Sequence, residues 1–342
     1  MSATAVSSTT STVAKFIKNP NPFPTYFFSH GGPTFMYEND DFGNKGAYNM
    51  IKKLGTTIKT KWKPDYIIVV SAHWQASQSD LIEISVPEEK DQNINQLIYD
   101  FYGFPDYMYK EKFPTLNSKY VSEQIKNELI ANGIKSKLTK RGGIDHGVWV
   151  PFKVAFSPYN LLTKTFQKAE DFDEDALDLP DTAIIQVSLP ADDHDFEASY
   201  KLGQVLSKFS DQLLYDSEKD KYLTGLIVTS GMSVHNLRDL GKSFNQPGQT
   251  MPYAKPFNQL LTKTLTNSST DLLTALNHLK TDAKARQLLF SSHPTLEHFV
   301  PVVVASGVND NKQPIKELYN DEMLSLGWGV YQFGNDYVKS NI

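Results

Sequence analysis

The sequence predicts a single α/β domain with a central, mostly parallel or mixed sheet and helices on both of its faces. Short runs rich in Ile, Val and Leu, bounded by turn residues, alternate along the chain with helical patterns of twelve or more residues. Strands that are apolar throughout need cover on both faces, which intervening helices supply. The 342 residues are enough to bury a large core, and neither an internal repeat nor a clear linker divides them.

Buried strands are expected where the apolar runs are short and rich in branched residues, at positions 66–72, 82–86, 183–189, 226–229 and 300–305. Helices are expected between them, at positions 48–61, 119–132, 196–216, 254–267 and 268–279. In the second of these helices, for example, Val121, Ile125 and Leu129 recur at helical spacing. Sheets of this class bind ligands beyond the carboxyl ends of their strands, so those ends are the first place to look for a site.

Charge and composition exclude several kinds of site and partner. The formal charge of -5 and the absence of a basic cluster argue against a nucleic-acid partner. The chain has no cysteine, which excludes disulfides, thiolate zinc sites, iron–sulfur clusters and a cysteine nucleophile. Apolar runs such as residues 299–305 are far too short to cross a bilayer, so no membrane partner is expected. Any metal must be held mainly by His, Asp or Glu.

Two segments are expected to lie outside the compact core. Residues 1–22 begin with a Ser/Thr-rich stretch and predict a flexible leader before a domain over residues 23–342. The leader lacks the apolar core of a signal peptide, which favours a cytoplasmic protein. Because no acidic residue precedes Glu38, a mitochondrial transit peptide is the alternative. Residues 168–181 are dominated by acids and predict a solvated insert.

Histidines recur at the ends of the apolar runs. Four of the eight, His30, His73, His146 and His235, occupy such positions, and His298 lies in the dense segment SSHPTLEHFVPVVVASG. Imidazole is a good ligand for zinc or iron and a good proton carrier near neutral pH. Histidines repeated at strand ends therefore predict one shared site, a mononuclear metal centre with a catalytic base beside it.

The first two histidines have surroundings that suit metal ligands. His30 precedes Gly31 and Gly32, and glycines let the backbone approach a bound group closely. His73 ends the most apolar run, and Trp74 beside it would form a wall of the substrate pocket. The alternatives are an incidental histidine in a tight turn for His30 and a half-buried, hydrogen-bonded ring for His73.

The next two histidines suit proton transfer. His146 follows Asp145, which either raises the basicity of the ring or caps the start of a helix. If Asp145 points at the ring, His146 is an acid–base or substrate-binding residue. His235 follows SGMSV and precedes Asn236, and it is expected either as a further metal ligand or as the base beside the metal.

The C-terminal segment offers two histidines and a glutamate. His293 and His298 are five residues apart, which on a helix turns them to different faces, so only one is expected to face the site. His298 is the expected ligand, because Pro294 suits a first helical turn and leaves His293 as a cap or surface residue. Glu297 is expected either to orient the His298 ring or to be the ligand itself.

Five motifs together resemble one family. SHGGPT, VSAHW, GGIDHGVWVPF, TSGMSVHNL and HPTLEHFVPV stand in the order found in the class III extradiol ring-cleavage dioxygenases of the LigB-like group, and the chain is most similar to the 4,5-DOPA dioxygenase branch. The resemblance runs from about Pro24 to the C-terminus. It implies one divalent metal per chain, bound by His30, His73 and His298, with His235 as a further ligand or the base.

The resemblance also implies a reaction. His146 is expected to bind substrate or move protons while O₂ is inserted into a catechol, such as a DOPA-like compound. Fe(II) is the expected active metal, and Zn(II) would occupy the same nitrogens without redox chemistry. Two other functions fit the same histidines: a zinc-dependent hydrolase, in which a metal-bound hydroxide attacks an ester or amide, and a metal-dependent binding module without turnover.

Overall fold

The computed structural model of the protein describes residues 13–40, 43–244, 250–267 and 269–337. Parts of the predicted leader and domain therefore lie outside the described residues, namely positions 1–12, 41–42, 245–249, 268 and 338–342. In the described residues the strands are β1 (Phe16–Lys18), β2 (Thr25–Ser29), β3 (Tyr66–Gln75), β4 (Leu81–Ser85), β5 (Ile94–Asn95), β6 (Thr115–Leu116), β7 (Lys135–Thr139), β8 (Tyr159–Asn160), β9 (Thr165–Phe166), β10 (Ala183–Leu189), β11 (Gln212–Asp216), β12 (Lys221–Leu223), β13 (Gly225–Gly231), β14 (Val234–His235), β15 (Ile315–Tyr319), β16 (Glu322–Met323), β17 (Leu326–Gly327) and β18 (Val330–Phe333).

The helices lie mostly between the strands of the main sheet. They are α1 (Lys45–Thr57), α2 (Lys119–Ala131), α3 (His146–Phe156), α4 (Phe196–Leu206), α5 (Lys208–Asp211), α6 (Leu237–Phe244), α7 (Ala254–Thr266), α8 (Leu272–Thr281), α9 (Ala283–Ser292) and α10 (Val300–Asn309). Among the described residues, no helix is both long and apolar enough to cross a membrane.

The main sheet is mixed, with a parallel centre. Its strand order is β15-β18-β2-β13-β3-β10-β4-β7. Strands β2, β13, β3 and β10 run parallel, so their carboxyl ends meet at one edge. The antiparallel pair β18 and β15 extends the sheet on one side, and β4 pairs antiparallel with β10 on the other. The predicted α/β class with a mixed sheet is confirmed.

Each face of the sheet has its own apolar core. In β3, Ile68 and Val70 point into a cluster that includes α4, α7 and α10, whereas Ile67 and Val69 point into a cluster that includes α1 and α3. Side chains of a strand alternate between faces, so a run that is apolar at every position is covered on both. This arrangement fixes β3 at the centre of the fold, with its carboxyl end free to carry a site.

Most of the expected elements are present. The strands expected at 66–72, 82–86, 183–189 and 226–229 are β3, β4, β10 and β13, and the helices expected at 48–61, 119–132, 254–267 and 268–279 are α1, α2, α7 and α8 with shifted ends. Residues 16–18 of the predicted leader form β1, which pairs antiparallel with β11. The division into a leader and a domain stays a prediction.

The strand expected at 300–305 is wrong, because these residues begin helix α10. All ten residues of α10 are buried, so the helix has no polar face and its sequence reads as a continuous apolar run. Such a run does not distinguish a buried strand from a buried helix. Pro301, in the first helical turn, agrees with the helix, since the backbone N–H that it lacks has no partner there.

The helix expected over 196–216 is wrong in its second half. Helix α4 ends at Leu206, and after the short α5 the chain forms strand β11. This strand pairs antiparallel with both β1 and β12, and these pairings override the local helical pattern.

Helices α4 and α10 pack with their backbones in contact. An added Cβ on Gly203 would lie 2.1 Å from the carbonyl oxygen of Val304, and one on Gly307 would lie 2.0 Å from that of Tyr200. Only glycine permits so close an approach, so the two positions fix how α10 lies against the sheet.

We predict that Gly203→Ala lowers the free energy of unfolding by about 1–3 kcal/mol, because backbone atoms of α10 must move to admit the methyl group. Gly241→Ala is the matched control, since an added Cβ at this helical glycine of α6 has nothing within 4 Å. The control should gain about 0.5–1 kcal/mol from helix propensity. Urea unfolding followed by circular dichroism measures both, and equal stability of the two variants would contradict the close contact.

Candidate metal centre

Five imidazoles meet at the carboxyl edge of the parallel strands. His30 directly follows β2, His73 lies near the end of β3, His146 begins α3, His235 ends β14, and His298 lies two residues before α10. Ring centroids are 4.9 Å apart for His30 and His73, 3.9 Å for His73 and His146, and 3.5 Å for His235 and His298. The structure therefore brings together all five histidines that the sequence singles out for a site.

Glycines allow this convergence. Gly31 has φ +69, and an added Cβ there would lie 2.4 Å from the ring of Trp328, so the chain can turn sharply after His30 only with glycine at this position. An added Cβ on Gly147 would lie 2.6 Å from Cδ2 of His73. The start of α3 can thus approach the end of β3 closely enough to place His146 beside His73.

Three of the five rings direct the same nitrogen at one point. Nε2 of His73 lies 3.1 Å from Nε2 of His30 and 3.2 Å from Nε2 of His298. Two nitrogens bound at about 2.0–2.1 Å to a common ion keep roughly this separation. Whether the three can bind an ion depends on which nitrogen of each ring carries the proton.

The hydrogen bonds of His30 decide its tautomer. The hydroxyl of Ser230 in β13 donates to the carbonyl oxygen of Gly147, which can only accept. Nδ1 of His30 lies 2.9 Å from the same hydroxyl oxygen and must therefore donate to it. Nε2 of His30 is left with a lone pair directed at His73.

Carboxylates decide the tautomers of the other two rings. Nδ1 of His298 lies 3.0 Å from Oε1 of Glu297, and Nδ1 of His73 lies 3.3 Å from Oδ2 of Asp100. An ionised carboxylate only accepts, so each Nδ1 carries the proton and each Nε2 has a free lone pair. Glu297 lies on the outer side of His298, which favours its expected part in orienting that ring over direct coordination.

Two of the three rings, those of His30 and His298, are held neutral, as metal ligands must be. Burial, with a further contribution from His73, holds the pKa of His30 well below its usual range. Burial, then His235 and His73, lower the pKa of His298 in the same way. Three neutral imidazole nitrogens suit zinc or iron. The donor set therefore fits one divalent ion.

His146 is paired with a carboxylate that the sequence did not indicate. Its Nδ1 and its backbone N each lie 2.9 Å from Oδ1 of Asp100. Asp145 stands at the helix-capping position but makes no capping hydrogen bond, because its buried carboxylate accepts from Arg141 and Gln186. Asp145 is the N-cap residue of α3, as expected, and its charge opposes the burial that lowers the pKa of His146, but the direct hydrogen bonds to the ring and to the first helical N–H are made by Asp100. Asp100 comes from an irregular aromatic segment with no recognisable spacing.

Asp100 is ionised in this setting. Burial raises the pKa of its carboxyl group, but hydrogen bonds from His146 and His73 outweigh that effect and hold the pKa well below its usual range. An ionised carboxylate shared by two imidazoles links the group of three nitrogens to the neighbouring His146 ring.

His235 lies against His298 on the other side of the group. The two rings stack with an interplanar angle of 13°. Burial, followed by the neighbouring histidines, lowers the pKa of His235 to about 3. The segment that carries it is tied down by His293, whose Nε2 donates to the carbonyl oxygen of Ser233 at 3.0 Å.

The expectation of a surface or helix-starting His293 is wrong. The residue is fully buried and stands at the C-terminal end of α9. Pro294 cannot continue the preceding helix, and the residue before a proline is turned away from helical angles, so α9 ends here.

Aromatic side chains border the site. Phe101 packs edge-on against His146 with ring centroids 5.8 Å apart. Trp74 is 8% exposed, and the guanidinium of Arg141 lies 4.6 Å above its ring while also donating to the carbonyl oxygen of His73. The substrate-binding role of Trp74 stays a prediction.

A family profile described as the catalytic LigB subunit of aromatic ring-opening dioxygenase matches residues 24–331. The chain belongs to the LigB family. It is an enzyme of the ring-opening dioxygenase class, and the oxidoreductase function expected from the five motifs is confirmed.

Relatives of this LigB-family protein cover most of its length. A 4,5-DOPA dioxygenase extradiol-like protein of Schizosaccharomyces pombe is 32% identical over 84% of this chain and 85% of its own. A 4,5-DOPA dioxygenase extradiol of Beta vulgaris is 30% identical over 90% of this chain and 96% of its own. The crystal structure of an uncharacterized Escherichia coli K12 protein, 21% identical, superposes with a TM-score of 0.61 over 91% of this chain and 100% of its own, which supports the fold.

We predict that Ser230→Ala weakens Zn²⁺ binding about 10–100-fold, because His30 loses the acceptor that keeps its proton on Nδ1. Ser306→Ala is the matched control, since this buried serine of α10 bonds only within its own helix, to the carbonyl oxygen of Val302. Competition with a chromophoric chelator measures both affinities. Equal affinities for the two variants would remove Ser230 from the site.

Proposed function

We propose that this LigB-family protein is an Fe(II)-dependent extradiol dioxygenase that inserts O₂ into a DOPA-like catechol, with His30, His73 and His298 as the metal ligands. The observation that carries the proposal is the convergence of three Nε2 lone pairs, with Nε2 separations of 3.1 and 3.2 Å from the central His73. Neutral imidazoles leave the ion its full positive charge, which favours binding of an anionic catecholate.

When bound, Fe(II) supplies Lewis acidity toward the two catechol oxygens and a redox path between the catecholate and O₂. The protein must hold the ion from one side so that substrate and O₂ can reach it from the other. The three proposed ligands come from the ends of β2 and β3 and from the segment before α10. Zn²⁺ would bind the same nitrogens and support no redox step.

His146 is the proposed proton acceptor for the catechol. Burial, and then the neighbouring His73, lower the pKa of His146, so the ring is neutral at pH 7. Because Nδ1 donates to Asp100, the free lone pair is on Nε2. A catechol that loses two protons on binding needs acceptors within hydrogen-bond reach, and an imidazolium beside a carboxylate can later return its proton.

His235 is the proposed second proton carrier. The sequence left open whether it is a ligand or a base, and we favour the base because its ring stacks on that of a proposed ligand. That ligand is His298, and the two ring centroids are 3.5 Å apart. Burial lowers the pKa of His235 to about 3, so the ring is neutral at pH 7, as both a ligand and a proton acceptor must be. His146 beside His73 and His235 beside His298 thus flank different ligands.

Two observations support a catechol as the substrate: the aromatic side chains that border the site and the names of the related proteins. Phe101 offers an apolar edge beside His146, as a flat ring requires. Relatives named 4,5-DOPA dioxygenase extradiol cover at least nine-tenths of the chain in Beta vulgaris and Escherichia coli comparisons. A DOPA-like catechol is the substrate that these two observations favour.

We predict that protein reconstituted anaerobically with Fe(II) consumes one O₂ per catechol cleaved and forms a yellow semialdehyde. An oxygen electrode and visible absorbance measure the two, with L-DOPA and simple catechols as substrates. The zinc-loaded protein is the control and should be intact by circular dichroism but inactive. A zinc-loaded protein that hydrolyses esters, together with no O₂ uptake by the iron form, would favour a hydrolase instead.

We predict that His73→Ala and His146→Ala lose different properties, the first metal binding and the second turnover. The first should abolish metal binding, because His73 lies at the centre of the nitrogen group. The second should keep the metal and lose about 10²–10⁴-fold in turnover. His278→Ala, at an exposed histidine of α8, is the control and should match the parent protein. Elemental analysis and O₂ uptake separate the cases, and normal metal content in His73→Ala would exclude it as a ligand.

A further inference from the structure

The carboxylate of Asp100 lies between two imidazoles that the proposed function uses differently. Its Oδ2 lies 3.3 Å from Nδ1 of His73, and its Oδ1 lies 2.9 Å from Nδ1 of His146. Oδ1 also accepts from the backbone N–H of His146, at the start of α3, at 2.9 Å. One carboxylate thus faces three N–H groups that can only be satisfied by an acceptor.

Hydrogen bonds fix the two residues that precede Asp100. The backbone N of Ile98 donates to the carbonyl oxygen of Ile144 at 2.8 Å, and Nε1 of Trp149 donates to the carbonyl oxygen of Ile98 at 3.1 Å. The hydroxyl of Tyr99 donates to the carbonyl oxygen of Glu111 at 2.6 Å. These bonds hold Asp100 in place while its side chain reaches the two rings.

We propose that Asp100 is a positioning residue that sets the tautomers of His73 and His146 together. By accepting from Nδ1 of His146 and placing its negative charge 3.3 Å from Nδ1 of His73, it leaves the Nε2 lone pair of His73 for the metal and that of His146 for the substrate. The inference rests on the proposed function only in the separate uses of these two nitrogens. Asp100 itself contacts neither metal nor substrate.

The chemistry of the carboxylate predicts an unusual order of metal affinity among variants of Asp100. In Asp100→Asn, the amide oxygen must stay with the two N–H groups of His146, so the amide NH₂ faces Nδ1 of His73. That nitrogen can meet a donor only by giving up its proton, which moves to Nε2 and blocks the metal lone pair. In Asp100→Ala, His73 loses its partner but remains free to adopt the binding tautomer. Asparagine should therefore do more harm than alanine, although it is the closer match in shape.

The test measures Zn²⁺ affinity by competition with a chromophoric chelator, so it needs no turnover. We expect Asp100→Ala to bind Zn²⁺ less tightly than the parent protein and Asp100→Asn to bind it about 10–100-fold less tightly than the parent, below the alanine variant. Asp106→Asn is the matched control, since this exposed aspartate lies in the same segment, and it should bind as the parent does. Long-range ¹H–¹⁵N NMR of the metal-free proteins should show the His73 proton on Nε2 only in Asp100→Asn.

The outcomes separate this inference from the proposed function. If Asp100 served packing alone, asparagine would preserve Zn²⁺ affinity and alanine would lose it, and that reversed order would overturn the inference. Thermal unfolding of the metal-free variants identifies a general loss of structure, and the NMR tautomers decide the case if either variant is destabilised. A parent protein that binds Zn²⁺ but cleaves no catechol would overturn the proposed function and leave the predicted order of affinities standing. A parent protein that binds no Zn²⁺ would overturn both.

Discussion

Three unprotonated imidazole nitrogens directed at one another are the constraint on which the rest of the site depends. At separations of 3.1 and 3.2 Å their lone pairs repel unless a cation lies between them. The sheet makes this arrangement possible, because β2 and β3 flank β13 in parallel and their carboxyl ends coincide. His30 follows β2 and His73 lies in β3, the two strands on either side of β13. Ser230 of β13 hydrogen-bonds to the His30 ring. The metal centre is thus a consequence of parallel strand order as much as of the histidines themselves.

Oxygen acceptors around the site give the nitrogens their separate uses. The oxygens of Ser230, Asp100 and Glu297 each face an Nδ1–H group of one ring and so leave Nε2 for coordination. Two further rings stand next to these, that of His146 beside His73 and that of His235 stacked on His298. Under the proposed function, five chemically identical side chains divide into metal ligands and proton carriers because their neighbours differ.

The histidines could be found from the sequence because a polar residue at the end of an apolar run is visible in one dimension. Their partners could not. Asp100 belongs to an irregular aromatic segment, and only the fold brings it to His73 and His146. Asp145 looked like the partner because it is adjacent in sequence, yet Arg141 and Gln186 draw its side chain away. Adjacency along the chain is a poor guide to which carboxylate orients a ring.

Elements of the fold could be predicted where strands and helices have different sequence patterns. The prediction failed where the two patterns are the same. Strand β3 reads as apolar and branched with turn residues on both sides, and it is a strand. The sequence of α10 shows the same pattern, although the segment is a helix. Its burial on all sides removes the periodicity by which an amphipathic helix is recognised. Its close packing on α4 depends on Gly203 and Gly307. Their role could not be predicted from the sequence, because it depends on how the two helices pack together.

Anomalous diffraction at the iron edge, from crystals of the Fe(II)-loaded protein, tests the central claim most directly. We expect a single iron peak bonded to Nε2 of His30, His73 and His298, with the Nδ1 atoms of these rings still facing Ser230, Asp100 and Glu297. An iron peak bonded through Nδ1 of any of the three, or one located away from this edge of the sheet, would contradict it.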